Sequence, residues 1–307
     1  MLLSARRAWA WLAIEPHHRA GLRLLQLAVG LMLLFRIATE WPFAAYFWGP
    51  NGIGDGTTAY VLGPTLAAAF DFPFLSDAGT HAVLIALAAG AIGQILGQWT
   101  RLASAVALCT FFMIEQRLPE LPDGGDNITR ILLLYMIFIL PPRVAGARGA
   151  LSTWMHNVAF LAIALQVATL YFTSGAMKMW GDKWQHGVAM YYVSQVEWFS
   201  LPGFRKFYKE PWISSLVAYG TMWFQVWFPI ALLSRLRLLW ILGGVLFHLG
   251  IAFFMGLITF STVMIGLEFA LITDPEYQRF TSGLSRLYKK LVSDERHLLP
   301  ARQSEHR

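Results

Sequence analysis

The sequence has few charged residues and a single cysteine. Only 14% of its 307 residues are Asp, Glu, Lys or Arg, and 56% are hydrophobic, whereas soluble domains average about 25% charged and 45–50% apolar residues. This composition excludes a water-soluble domain, a disordered chain and a coiled coil. The one cysteine, Cys109, lies within an apolar run. It therefore excludes an intrachain disulfide and a multi-cysteine metal site, and we expect it to serve in packing.

What the chain has instead is long apolar runs, close to the roughly 20 residues that a helix needs to cross a bilayer. They predict an all-α polytopic integral membrane protein with about eight transmembrane helices and additional interfacial helices. The runs lie at about 20–39, 79–98, 102–116, 128–141, 155–176, 212–233, 236–255 and 258–273. We therefore divide the chain into an interfacial N-terminal segment (1–19), a transmembrane domain (20–273) and a basic cytoplasmic tail (274–307).

The distribution of the basic residues predicts the orientation of these helices. If both termini are cytoplasmic, every inside segment is basic, through Arg101, Arg143, Arg148, Arg235, Arg237 and the residues of the tail. The first outside loop, 41–78, has no Lys or Arg. Because short cytoplasmic loops carry an excess of positive charge, the net charge of +6 reports topology rather than nucleic-acid binding. The distribution predicts a multi-pass membrane protein with both termini in the cytoplasm.

One outside segment, 177–211, breaks this charge bias. It contains five basic residues: Lys178, Lys183, Arg205, Lys206 and Lys209. Part of it, together with residues 40–56, is also rich in aromatic residues and glycine, a composition typical of an interfacial aromatic belt. The positive charge needs another explanation, and we expect the functional region here.

Ionisable residues inside apolar helices are costly, so each should have a polar partner. Arg36 and Glu40 lie four residues apart near the outer end of the first predicted span and can form an ion pair. Asp126 and Arg130 repeat this spacing in the motif DGGDNITR, where Asp123 or Asp126 could also cap the helix.

A cation site is an alternative use of the acidic residues near that motif. Glu115, Glu120, Asp123 and Asp126 could hold a hard cation such as Ca²⁺. Their spacing matches no known ion-binding motif.

Two further polar residues lie in late apolar segments. His248 lies in the middle of an apolar helix, where a lone histidine serves either as an interhelical hydrogen-bond partner or as a catalytic or ligand-binding group. Glu268, flanked by MIGL and FALI, needs a partner from another helix. The two could pair across an antiparallel hairpin that turns near Gly256.

Lys178 follows an apolar helix in the segment LQVATLYFTSGAMKMWGDKW. We expect its neighbours Met177, Met179 and Trp180 to shield the ammonium from water and so to favour its use as a base. The alternative is an ordinary lysine that extends toward the interface from a helix end.

Four separated motifs carry a family resemblance: FWGPNGIGDG, DGGDNITRILLLYMIF, YFTSGAMKMWGDKWQHGVAMYYV and FHLGIAFFMGLITFSTVMIGLEF. Over about residues 15–275 the chain resembles the HTTM ("horizontally transferred transmembrane") domain, the bacterial relative of the membrane region of vitamin K-dependent γ-carboxylase. The resemblance places Lys178 on the lysine regarded as the base that deprotonates vitamin K hydroquinone. It places Met177 on the preceding lysine, and Phe247 and His248 on the late F-H pair of the family.

The chain also departs from the carboxylases. Their N-N-H segment, which includes a histidine implicated in catalysis, leads the helix that corresponds to DGGDNITR, and this sequence has Ile128 there. The resemblance therefore does not carry glutamate carboxylation to this chain. Short HTTM proteins are more similar to it, among them the membrane component that acts with a soluble partner to mature the sporulation-delaying peptide toxin.

These observations lead to two principal hypotheses. In the first, the protein is a carboxylase- or epoxidase-like enzyme that acts on a quinol-like cosubstrate or a peptide, in an outward-opening cavity bounded by residues 40–56 and 180–204. The catalytic residues would be Lys178 as base and His248 as orienting group. The candidate substrate-binding residues are Arg36, Glu40, Asp126, Asn127, Arg130 and Trp184.

In the second hypothesis the protein is a non-catalytic membrane module. It would bind a peptide or a partner protein through its aromatic segments and assist maturation, export or immunity. A transporter is a third possibility, but proton-linked carriers usually have more carboxylates within the membrane and corresponding discontinuous helices in their two halves.

Overall fold

The computed structural model of the protein describes residues 2–54, 64–119, 121–141, 149–197 and 200–298. Glu120, Arg143 and Arg148 lie outside these ranges. The described α-helices are α1 (Leu2–Ala13), α2 (Arg19–Glu40), α3 (Ala44–Trp48), α4 (Pro64–Asp71), α5 (Asp77–Leu96), α6 (Thr100–Arg117), α7 (Gly124–Met136), α8 (Ala150–Met179), α9 (Asp182–Gln185), α10 (Ala189–Gln195), α11 (Pro211–Leu232), α12 (Arg237–Met255), α13 (Ile258–Ala270) and α14 (Asp274–Leu298). No β-strand occurs in these ranges, and the all-α prediction is confirmed.

A helix lies at each of the eight predicted positions, but not all eight qualify as membrane spans. Four stretches within the described ranges are long and apolar enough to cross a membrane: Arg19–Trp48, Asp77–Leu96, Ala150–Met179 and Arg237–Met255. A fifth would be the pair Ile258–Ala270 and Asp274–Arg286, which is bent by 99°. Helices α7 and α13 have only 13 residues each, and α6 carries charged side chains at both ends.

Successive long helices run in opposite directions. The start of α2 lies beside the ends of α5 and α13, since Arg23 Nη1 donates to Gln94 O and Arg19 N donates to Asp274. Arg237, at the start of α12, pairs with Glu276 beyond the end of α13. We call this end of the bundle the Arg19 end. The opposite end holds the end of α8, and we call it the Lys178 end.

Helix α2 lies at the centre of the bundle, against α5 and α13. Its buried side chains recur every three or four residues, as expected for a packed helix face: Leu22, Leu25, Val29 and Leu33 are at most 1% exposed. Gly21 brings the backbone of α2 against α13, because a Cβ atom there would overlap Phe269 O. Small residues permit this close approach between apolar helices. Cys109 on α6 is exposed, so the expected packing role is wrong.

The N-terminal segment is helical, and it is also attached to the bundle. Asn157 on α8 donates to the carbonyl oxygens of Trp11, Leu12 and Glu15 at 2.8–3.1 Å. His156 Nε2 lies 2.8 Å from His17 O. These bonds satisfy backbone carbonyls at and after the end of α1, and they fix the chain where it enters α2.

The segment expected to be a basic tail is a helix of 25 residues as far as Leu298. Residues 299–307 lie outside the described ranges. Its axis turns sharply from α13. His18 lies at this junction, and its Nδ1 is 3.1 Å from Ala270 O and Ile272 O. Burial lowers the pKa of this imidazole, and the neutral ring is the form that suits a buried site.

Candidate functional site

Lys178 lies in the last turn of α8, where the chain turns back on itself. Its Nζ donates to Ser174 O at 3.3 Å and lies 5.2 Å from the centre of the Trp184 ring. Gly181 immediately precedes the short helix α9, and the amide of Trp184 donates to the Gly181 carbonyl at 3.0 Å. This turn therefore brings Trp184 over the lysine, in an arrangement suited to a cation–π contact.

The neighbours that were expected to shield Lys178 do not do so. Met177, Met179 and Trp180 are 72%, 54% and 85% exposed, while Lys178 is half-buried. Adjacent residues of a helix point about 100° apart, so the side chains next to Lys178 in sequence lie on other faces of the helix. Its actual neighbours come from one turn earlier in α8 and from α9.

Lys178 has no carboxylate partner among the residues that the structure describes. The nearest acidic residue along the chain, Asp182, is largely exposed and lies 3.3 Å from His186 Nδ1. A half-buried amine without a counter-charge in the protein is available to a ligand.

Lys178 and His248 line one cavity of about 460 Å³. This volume falls in the usual range of small-molecule sites, roughly 300–1,000 Å³. Most of its walls are apolar side chains from α8, α10, α11 and α12 and from the starts of the Phe207–Lys209 turn and α13. Trp184 also lines it, so three of the predicted site residues meet here.

Of the two segments predicted to bound this cavity, one does so and the other does not in its described part. The segment 180–204 contributes Trp184, Met190 and Val193. No residue of 40–54, the described part of the other aromatic segment, lines the cavity.

His248 is part of a buried polar network at the cavity wall. Tyr171 donates its hydroxyl proton to Glu268, and His248 Nε2 lies 2.9 Å from the same hydroxyl oxygen. Because the Tyr171 hydroxyl donates to the carboxylate, its oxygen can still accept a hydrogen bond from the His248 ring. The predicted proximity of His248 and Glu268 is confirmed, at 3.8 Å, with Tyr171 between them.

Two features of this network were not predicted. Tyr171, 1% exposed and stacked on Phe228 at 3.8 Å, stands at the start of YFTSGAMKM, and its position in that motif was the available signal. Gly244 lets α12 approach Glu268, because a Cβ atom there would overlap the carboxylate.

Three of the buried polar atoms that lack a partner in the described part of the chain belong to this network or to the cavity wall. They are His248 Nδ1, Glu268 Oε2 and Gln225 Oε1. Gln225, on α11, lines the cavity together with His248, and sequence reasoning missed it. It was hidden among the Trp and Phe residues of WFQVWF.

The other five candidate residues form a separate ion-pair network. Arg36 Nε donates to both oxygens of Glu40 at 3.0 Å, which confirms the predicted pair, and its Nη1 donates to Asp126. The guanidinium also lies 5.3 Å from the centre of the Phe111 ring. Arg36 is thus compensated by two carboxylates.

The expected pair of Asp126 and Arg130 is replaced by other contacts. Asp126 completes a capping box with Asp123 and accepts from Arg36, so its carboxylate is already engaged. Arg130, one turn deeper, lies 3.1 Å from Glu115 on α6 and donates to Asn127 at 2.6 Å. Of the two residues predicted as possible caps, Asp123 and Asp126, Asp123 is the N-cap and Asp126 lies at the third position of the box.

The described part of the chain gives no support to the alternative cation site. Among the described residues there is no group of three potential ligands that could hold a metal ion. Glu115 and Asp126 each face a guanidinium, and Glu120 lies outside the described ranges.

Phe260, at the start of α13, separates the two polar groups. It lines the cavity, and its backbone lies next to Gly125, where a Cβ atom would be 3.0 Å from Phe260 Cα. The predicted residues therefore gather at two neighbouring places rather than in one pocket.

Comparison with known proteins adds one relative. The chain is 29% identical over 168 residues to the "Uncharacterized protein YitO" of Bacillus subtilis (strain 168). The match covers 49% of this chain and 54% of YitO, so it spans about half the length of this curated relative. No protein-family profile and no solved structure matches the chain.

Proposed function

We propose that the protein is an integral membrane enzyme of the HTTM type that binds a lipid-soluble, quinol-like substrate in the Lys178 cavity. Lys178 acts as the base, and His248 orients the substrate. The observation that carries this proposal is an amine on the wall of an apolar cavity that has no counter-charge among the described residues. The HTTM resemblance of YFTSGAMKM independently selects the same lysine.

The chemistry follows from the position of the two polar groups. The apolar walls would hold the ring and tail of the substrate. The Lys178 amine would accept a hydroxyl proton, and His248, held by Tyr171 at 2.9 Å, would contact the substrate as a neutral ring. Glutamate carboxylation is not part of the proposal, because Ile128 stands where the carboxylases carry their histidine-containing segment.

We place the protein in the bacterial inner membrane, with the Arg19 end and both termini on the cytoplasmic side. Arg19, Arg23, Arg101 and Arg237 gather at that end, in agreement with the positive-inside rule. In a chain with Cys109 replaced by Ser, single cysteines introduced at Lys183 and at Arg235 should differ in their accessibility from outside whole cells. A membrane-impermeant maleimide should label only the first, and labelling of the second instead would reverse the orientation.

The alternative is a non-catalytic docking module. Its specific support is the outward position of Met177, Met179 and Trp180 beside the cavity, an apolar surface that a peptide or partner protein could cover. In this interpretation Lys178 needs only its charge.

Quinol oxidation in the purified protein tests the base assignment. Loss of a hydroxyl proton activates a short-chain quinol toward dioxygen; in the full reaction the quinol gives up two protons and two electrons and the dioxygen becomes hydrogen peroxide. We expect the wild type to accelerate this reaction, and Lys178→Arg to abolish the acceleration, because a guanidinium does not release its proton.

The matched control is Lys183→Arg, an exposed lysine five residues later, which should behave as the wild type. Full acceleration by Lys178→Arg would overturn the base and favour the docking module.

A further inference from the structure

We propose that α14 is an interfacial helix that lies flat on the lipid headgroups at the Arg19 end and binds anionic lipids. This inference concerns no substrate and does not depend on the function proposed above. It requires only that the bundle be embedded in a membrane with α13 directed along the bundle axis. The partner is the lipid surface itself.

The start of α14 is fixed rigidly to the bundle. Arg237 Nη2 donates to both oxygens of Glu276 at 2.5 and 2.6 Å. Asp274 accepts from the backbone amides of Arg19 and Ala20 at 3.0 and 2.8 Å. These bonds set the direction in which α14 leaves the bundle, while the contact of its later turns with lipid depends on its own apolar face and charge.

That direction runs nearly perpendicular to α13, since the two axes differ by 99°. A helix perpendicular to one that runs along the bundle axis is parallel to the membrane surface. An amphipathic helix in this orientation can bury its apolar face at the boundary between headgroups and acyl chains.

The apolar face of α14 points toward the membrane side. Tyr277, Phe280, Leu284 and Tyr288 recur every three or four residues and so share one face. Tyr277 donates to Phe269 O, in α13, at 2.8 Å, which turns this face back toward the bundle. Beyond that contact Phe280, Leu284 and Tyr288 are 67%, 51% and 68% exposed, where the hydrocarbon would lie.

The charge of α14 selects anionic lipids. Between Asp274 and Glu276 at its start and Asp294 and Glu295 near its end, the charged residues of α14 are all basic, and those whose side chains the structure describes are Arg279, Arg286 and Lys289. By their helical positions they lie away from the apolar face. Basic residues close to a membrane surface are attracted by anionic headgroups.

Fluorescence in lipid nanodiscs tests this orientation in the full-length chain. With Cys109 replaced by Ser, a single cysteine is introduced at Leu284 or Tyr288 on the apolar face, or at Ser282 on the opposite face as the matched control. Each is labelled with an environment-sensitive dye. We expect nitroxides on the acyl chains to quench the dye at 284 and 288, and aqueous iodide to quench it at 282.

Equal access of iodide to all three positions would overturn the proposal, because the helix would then lie in water. Protection at 284 and 288 without quenching by the lipid nitroxide would also overturn it, since a protein partner or a second copy would then cover the face.

The charge requirement is tested separately. The triple replacement of Arg279, Arg286 and Lys289 by Gln should reduce lipid quenching at 284 in nanodiscs that contain phosphatidylglycerol. The same change at Lys183, Lys206 and Lys209, at the other end of the bundle, should not reduce it. Equal quenching in phosphatidylcholine alone and in mixtures with phosphatidylglycerol would refute the preference for anionic lipid.

Discussion

The Arg36 network and the Lys178 cavity are neighbours that treat positive charge in opposite ways. Arg36 contacts Glu40 and Asp126, and Arg130 contacts Glu115, so each guanidinium has a carboxylate. Lys178 has none in the described part of the chain and lies on the wall of a cavity. Charges that are compensated within the protein serve its packing, whereas an uncompensated charge beside an empty volume is suited to a ligand.

The largest expected effect is a loss of stability at Arg36, whose charge is balanced by two carboxylates. Arg36→Met would leave Asp126 and Glu40 without their cation, and breaking a buried ion pair costs about 3–5 kcal/mol. We expect a loss of this order in the free energy of unfolding, measured by denaturant unfolding in detergent. The double variant Arg36→Met with Asp126→Asn should recover part of it, because the uncompensated charge is removed.

A stability loss below about 1 kcal/mol for Arg36→Met would contradict the packing role of the Arg36 ion pairs. The ion pairs would then be dispensable for packing, and Arg36 would return as a candidate ligand-binding residue.

A smaller effect is expected at Tyr171, on the cavity side. Tyr171→Phe removes the hydroxyl between His248 and Glu268 and leaves two buried polar groups unsatisfied, at a cost of about 1–3 kcal/mol. The same unfolding measurement checks it. Tyr219→Phe is the matched control, because its hydroxyl donates to Gln185 O at 2.7 Å from a side chain that is 47% exposed. This change should cost about 0.5 kcal/mol or less.

If Tyr171→Phe is as stable as the wild type, the network does not hold His248 in place. The orienting role of His248 would then lose its support.

Apolar run lengths predicted most of the fold, because burial in lipid requires long continuous runs. The apolar runs predicted the positions of eight helices correctly. They did not show which of these helices cross a membrane, since α7 and α13 are short and α6 is charged at its ends. The helix α14 was missed because its residues are polar on average, and only its periodicity, with Tyr277, Phe280, Leu284 and Tyr288 on one face, distinguishes it from a tail.

Spacing predicted contacts within a helix better than contacts between helices. The Arg36–Glu40 pair and the Asp123 cap are local and were predicted correctly. Asp126 and Arg130 instead contact residues of α2 and α6. Sequence spacing cannot show that such contacts between helices replace the pair four residues apart. The motif selected Lys178 as a site residue. The prediction that adjacent residues shield it was wrong, because side chains next to each other in a helix point in different directions.

The proposed function requires that Lys178 belong to a ligand site and not to the packing of the bundle. The most direct test is the dissociation constant of a short-chain quinone for Lys178→Met and for the wild type, measured by titration of the purified protein alongside its unfolding free energy. We predict an affinity about 2–10-fold weaker, from loss of the hydrogen bond that the uncharged amine donates to a quinone oxygen, with stability within about 1 kcal/mol of the wild type. Unchanged affinity, or a stability loss as large as that of Arg36→Met, would contradict the account.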